Sequence, residues 1–240
     1  MVYVGHSYGT FTGWYMATDY GQGLDAAVFT AAFEKLTVSA PLLVLPASYP
    51  AAADPNFLGS TVDPGYMTTL PDTRRNVFYE PMTVDPAVVR YDEANKSTYA
   101  ATELANYPLI LNRPLDVRVP VFLVAGSEDS LFCKENFSAA PAATGGSGDI
   151  GEALEDVATP LKGSLPQTNE LTGSTLGGTD CDSTEALVSD EAAHFGPNTP
   201  SVDGFVLPEA GHSLNQAPDS QRYFDAVNGW IDETVGGAAH

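Results

Sequence analysis

Apolar residues in this chain fall into short runs and helical spacings at its two ends, and into a looser, proline-rich pattern between them. Met1-Val2-Tyr3-Val4 reads as a short strand, and from Tyr8 to about Tyr20 the residues Phe11, Trp14, Tyr15 and Ala17 recur at helix-compatible intervals before Gly21 and Gly23 supply a stop. Leu24 to Phe33 fits a buried strand. Val119 to Gly126 is a nearly continuous apolar run, the mark of a strand covered on both faces. A helix is predicted over Ser183 to His194 and a last strand over Val202 to Leu207. A final amphipathic helix, about Asp219 to Val235, carries Tyr223, Phe224, Val227, Trp230 and Ile231 on one side and ends at Gly236-Gly237. Strand, helix, strand in that order predicts an α/β protein with a mostly parallel sheet.

From about Pro41 to Pro114 this alternation stops, and Pro, Tyr, Phe and Met become frequent. Long segments without sheet periodicity usually act as lids, so residues 41–114 are expected to form an inserted cap of short helices, with helical stretches at Pro86 to Asn95 and Ser97 to Asn106. The core is then residues 1–40 and 115–240. Within it, residues 134–180 form a low-complexity loop rich in Gly, Ser, Thr and Ala, with one short helix near Ile150 to Val157.

Composition narrows the partners. A 240-residue chain that is 43% apolar can bury one sizeable core, and its formal charge of −21, from 31 acidic against 10 basic residues, makes binding to a phosphate backbone improbable. No nucleic-acid partner is expected. No apolar run reaches the length of a membrane-spanning helix, and no basic leader followed by an apolar stretch is visible. Cys133 and Cys181 can form one disulfide or remain two buried thiols. The even cysteine count is compatible with export and the acidic balance with a halophilic or a secreted origin, which favours a secreted over a cytoplasmic setting only weakly. The four histidines and two cysteines lack ligand spacing, and no glycine loop ends in Lys-Ser or Lys-Thr, so neither a metal nor a cofactor is expected.

The chemistry sits in three places. Gly5-His6-Ser7-Tyr8-Gly9 directly follows the first strand, and G-x-S-x-G in that position is the signature of a nucleophile elbow. Small residues two before and two after the serine relieve crowding at the strained turn, and the helix that follows offers the Tyr8 amide to a developing oxyanion. Asp129 lies just after the strand ending at Gly126, with Glu128 beside it as a competing acid. His212 lies just after the strand ending at Leu207; among the other histidines, His6 is inside the elbow and read as pointing away, His194 is on a helix and His240 is terminal. Ser7, Asp129 and His212 therefore occupy loops at the carboxyl edge of a parallel sheet, where distant residues converge, and they are the expected nucleophile, orienting acid and general base.

Together these segments resemble the α/β-hydrolase superfamily, in particular its lysophospholipase-like and esterase-like members. The resemblance rests on the elbow and on Asp63-Pro64-Gly65-Tyr66-Met67-Thr68-Thr69, Arg75 to Tyr79, Leu131-Phe132-Cys133 and Val206-Leu207-Pro208-Glu209-Ala210-Gly211-His212-Ser213-Leu214-Asn215. It implies an α/β-hydrolase core, those three residues in those three roles, and a bonded Cys133–Cys181 pair. It also implies a serine esterase acting on a small-molecule ester, with Met67 and Met82 among the cap side chains lining an apolar acyl pocket. The superfamily supplies strands and a second oxyanion donor ahead of its elbow, so the resemblance further implies that an N-terminal part is missing, through truncation rather than supply by another chain. Losing one such donor costs on the order of 10²–10³ in rate, which keeps an impaired or non-enzymatic hydrolase-fold protein as the alternative. An amidase or peptidase of the same fold is a further one.

Overall fold

A computed structural model describes residues 1–134 and 177–236. Four parallel strands form its main sheet: β1 (Val2–His6), β2 (Ala26–Thr30), β6 (Val121–Gly126) and β7 (Val202–Leu207), side by side in that order. The register runs Val4 opposite Val28, Val28 opposite Phe122 and Val124 opposite Phe205. Every residue of β2 and β6 is buried, including the polar Thr30 that ends β2, as expected of largely apolar strands covered on both faces.

Because strand side chains alternate between faces, β2 and β6 feed two separate cores. Ala27, Phe29, Val121, Leu123 and Ala125 pack on one side with Phe11, Trp14 and Ala17 of α1 (Tyr8–Asp19) and with Leu187. Val28, Phe122 and Val124 pack on the other side with Tyr223 and Val227 of a C-terminal helix. Helices therefore cover both faces of a parallel sheet, which defines the α/β class.

The chain between β2 and β6 adds no strand to that sheet. It holds α2 (Ser39–Val44), β3 (Ser48–Pro50), β4 (Tyr66–Thr69), α3 (Arg74–Phe78), α4 (Pro86–Ala94), β5 (Tyr99–Ala100), α5 (Ala101–Ala105) and α6 (Tyr107–Leu111). Here the structure corrects the expectation of helices alone: β3, β4 and β5 form a small antiparallel sheet, with Ser48 opposite Thr69 and Met67 opposite Tyr99. The helix expected from Ser97 starts only at Ala101, because Tyr99 and Ala100 are spent on that pairing. Strands of two to four residues are too short to leave an alternation signal. The helix at Pro86 is present, with Asp85 capping it through the Ala87 amide and Pro86 in its first turn.

Beyond β6 the expected low-complexity loop and the helix at Ile150 to Val157 lie outside the described residues, apart from Lys134 and residues 177–180. The chain re-enters with α7 (Thr184–Glu191), capped by Ser183 through the Ala186 amide, and closes with α8 (Ser220–Ile231) and one wider turn over Asp232–Gly236. Among the described residues no helix is long and apolar enough to cross a membrane.

Candidate active site

Ser7 stands between β1 and α1 at φ 52, ψ −125, outside the regions that a non-glycine residue normally occupies. Its amide donates to Thr30 O at 2.9 Å, so the turn is held by the adjacent strand. Two buried threonines fasten its underside. The Thr10 hydroxyl lies 3.1 Å from Gly5 O and 3.0 Å from Thr30 O and accepts from the Thr30 amide, while the Thr30 hydroxyl donates to Gly5 O at 3.1 Å. Ser7 occupies the cap position of α1 yet makes no side-chain cap bond, which leaves its hydroxyl available elsewhere.

The two elbow glycines are not equivalent. A Cβ on Gly5 would lie 2.7 Å from Gly9 O and 2.8 Å from the Tyr3 ring, whereas a Cβ on Gly9 would meet nothing within 4 Å. Crowding therefore explains Gly5 alone and corrects the reading that both glycines relieve it. Gly9 turns its open side away from the packed strand and uses its carbonyl to accept from the Tyr3 hydroxyl at 2.6 Å.

The turn after β6 is tight: the Asp129 amide donates to Gly126 O, and Asp129 Oδ1 accepts from the Leu131 amide at 2.9 Å. That leaves Asp129 Oδ2 for the His212 ring, 2.9 Å from Nδ1, with both side chains buried. On the other side of the ring, His212 Nε2 lies 2.8 Å from Ser7 Oγ. Ser7, His212 and Asp129 thus form one hydrogen-bonded chain assembled from three separate strand ends. Glu128 does not join it; its carboxylate receives the Ser127 hydroxyl. Tyr8 is the first residue of α1, so its amide belongs to the turn whose donors have no partner within the helix.

Three aromatic side chains surround His212, and none was singled out for that role by sequence. The Phe132 ring stacks at 5.8 Å with planes 17° apart, Phe78 approaches to 5.8 Å at 34°, and His6 to 5.4 Å at 48°. His6, expected to point away from its neighbour in the elbow, has its Nδ1 2.9 Å from the Thr30 hydroxyl and its ring beside that of His212. Burial, followed by repulsion from His212 and opposed only in part by Asp129, lowers the His6 pKa to about 4. It is therefore neutral at neutral pH. The pattern that could have revealed these neighbours is thin: His6 is inside the pentapeptide and Phe132 three residues past the acid, but Phe78 lies 134 positions from His212.

Cys133 and Cys181 are joined in a disulfide. Their surroundings tie the acid loop to the segment before α7: Lys134 donates to Thr179 O and Thr179 to Phe132 O, each at 2.7 Å. Glu191, fully buried, receives the Thr179 hydroxyl at 2.6 Å and the Glu34 amide at 3.0 Å, and burial raises its pKa. His194 lies apart, 3.5 Å from Glu34 and against Trp14, and His240 lies outside the described residues. Met82 is 88% exposed on a surface turn and cannot line a pocket as expected. A groove of about 730 Å³ between α7, β7 and α8 and a hollow of about 350 Å³ beside Arg113 and His194 contain none of Ser7, Asp129 and His212.

A strained serine between a parallel strand and a helix, an acid after a later strand and a histidine after the last strand, in that chain order, is the arrangement of the α/β-hydrolase fold. Solved structures of similar shape include a monoacylglycerol lipase from Paleococcus ferrophilus, at 14% identity and a TM-score of 0.45 over 97% of this chain and 68% of that one. A soluble variant of the monoglyceride lipase of Saccharomyces cerevisiae is 12% identical, with a TM-score of 0.48 over 96% of this chain and 61% of its own. An alpha/beta hydrolase fold protein from Chitinophaga pinensis is 12% identical, with a TM-score of 0.44 over 95% and 63% of the two chains. No family model matches the sequence, and the comparison with curated proteins found no match.

Proposed function

We propose that the chain is a serine hydrolase that cleaves a carboxylic ester by way of an acyl-enzyme. The observation that carries this reading is the hydrogen-bonded chain from Ser7 Oγ through His212 to Asp129, at 2.8 and 2.9 Å. A serine hydroxyl attacks an acyl carbon only when a base takes its proton. His212 Nε2 accepts that proton as Ser7 Oγ bonds the carbon, and the carbonyl electron pair moves to the oxygen. Asp129 holds the Nδ1 proton and stabilises the imidazolium. The Tyr8 amide, at the start of α1, faces the resulting oxyanion. Collapse expels the alcohol, which takes the proton from His212; water then attacks the acyl-enzyme by the same route and releases the acid.

Aromatic rings at the site support a substrate with an apolar acyl group: Phe78 and Phe132 flank His212, and Tyr107 packs edge-on to Tyr8 at 5.8 Å. The disulfide supports residence in an oxidising compartment. The test uses a fluorophosphonate probe with mass-spectrometric mapping, followed by p-nitrophenyl esters of increasing chain length. Labelling is expected at Ser7 and absent in Ser7→Ala, with hydrolysis lost in parallel. No adduct on Ser7, or undiminished ester cleavage by Ser7→Ala, would refute the reading.

A further inference from the structure

His212 is held by more than its two hydrogen bonds. Its loop is joined to the segment around α3: the Ser213 amide donates to Phe78 O at 2.7 Å, and the Thr83 hydroxyl donates to Glu209 O at 3.0 Å. A Cβ on Gly211 would lie 2.6 Å from the Tyr79 carbonyl carbon, so the two backbones touch. The Tyr79 hydroxyl bonds both Asp92 of α4 and Gln216 just past the histidine. From this joined segment Phe78 projects onto the imidazole. Phe132 comes from a different part of the chain, the acid loop, where its carbonyl is tied to Thr179 and its neighbour Cys133 is in the disulfide. Two independently anchored phenyl rings thus lie against one imidazole, each with its centroid 5.8 Å away.

We infer that Phe78 and Phe132 are positioning residues for His212: they keep its ring in line with Ser7 and Asp129 while Ser7 gives up its proton. The inference rests on the serine-hydrolase reading above and deepens it. Restricting the ring matters because Nε2 must meet the serine while Nδ1 stays on Asp129, and a small rotation about either side-chain bond breaks one contact. His6, neutral and fixed to Thr30, bounds the ring on a third side without adding a repelling charge. Neither phenyl donates or accepts a proton, so the atom balance of the reaction is unchanged.

The test compares wild type with Phe78→Leu, Phe132→Leu and the tyrosine variants at both positions. Phe78 is only partly buried and Phe132 is 1% exposed, so Phe78→Leu is the variant expected to fold without difficulty. The rate of Ser7 labelling by fluorophosphonate and kcat for a p-nitrophenyl ester are expected to fall about tenfold in each leucine variant, with KM within about twofold. Tyrosine, which retains the ring, is expected to restore most of the loss. A second readout needs no turnover: in Ser7→Ala, the His212 Cε1 proton resonance is expected to move when Phe78→Leu removes a ring whose centroid lies 5.8 Å from the imidazole. Wild-type kcat in Phe78→Leu, a change confined to KM, or an unmoved resonance overturns the inference. If wild-type Ser7 is not labelled at all, the hydrolase reading fails instead, and the resonance alone decides whether the rings hold His212.

Discussion

Lys96 Nζ lies 2.7 Å from the Asp54 carboxylate, and neither side chain reaches water. The same ammonium donates to Glu93 at 2.5 Å and to Thr69 O at 2.8 Å, and Asp54 also receives the Tyr49 hydroxyl and the Asn56 amide. Burial pushes the Asp54 pKa up, but the bonds from Lys96, Tyr49 and Asn56 outweigh it and hold it below the ordinary carboxylate value. This knot joins β3, β4 and the end of α4, which have little apolar core of their own. Removing one member of a buried pair leaves an uncompensated charge, so Lys96→Met should cost about 3–5 kcal/mol. Lys96→Met with Asp54→Asn should cost less than the single change. Urea unfolding of the three proteins checks both expectations; a single variant as stable as wild type contradicts them.

The elbow glycines should respond in opposite ways. Gly5→Ala drives a methyl into the Gly9 carbonyl and the Tyr3 ring and should cost more than about 2 kcal/mol, with Ser7 labelling abolished. Gly9→Ala adds a methyl to open space within α1, where alanine is favoured by about 1 kcal/mol. It should be neutral or stabilising. Thermal unfolding and probe labelling of both variants distinguish them.

His6 makes stability depend on pH. Its folded pKa of about 4 lies below the ordinary histidine value, so between pH 6.5 and 4 the unfolded chain binds a proton that the native protein refuses. Its contribution is therefore present above that window and lost as pH falls through it, up to a ceiling of about 3 kcal/mol. His6→Gln can keep a bond to Thr30 but cannot titrate. It should lose less stability than wild type between pH 7 and pH 4.5 in chemical denaturation. Equal losses would show that His6 is not the group responsible.

Reduction of Cys133–Cys181 should act on both stability and turnover. The cysteines are 48 residues apart, and freeing a loop of that length removes about 4 kcal/mol in the chain-entropy account. Because Cys133 follows Phe132 and its amide bonds Asp129 O at 2.8 Å, the acid loop should loosen as well. Cys133→Ser with Cys181→Ser is expected to melt lower and to lower kcat more than KM. Calorimetry and steady-state kinetics measure the two effects separately.

Much of the core was legible because its signals are local. Largely apolar runs mark β2 and β6, the spacing of Phe11, Trp14 and Ala17 marks α1, and Val202 to Leu207 is read with its boundaries. The segment between β2 and β6 was legible only in part, since β3 to β5 are too short to impose a period and are held by pairing with one another. Ser7, Asp129 and His212 could be named because each lies in the loop or turn that leaves the carboxyl end of a strand, and a parallel sheet gathers such positions at one edge.

By itself, then, the sequence determined which side chains end at that edge, through strand patterns and turn chemistry written within a few residues of each. The tertiary structure alone decided how they meet: the 2.8 and 2.9 Å contacts of His212, the inward turn of His6, the rings of Phe78 and Phe132, and the crowding that requires Gly5 but spares Gly9. The physical reason is range. A strand end is specified by neighbouring residues, whereas a ring against another ring 134 positions away depends on backbone segments brought together only when the cores on both sides of the sheet close.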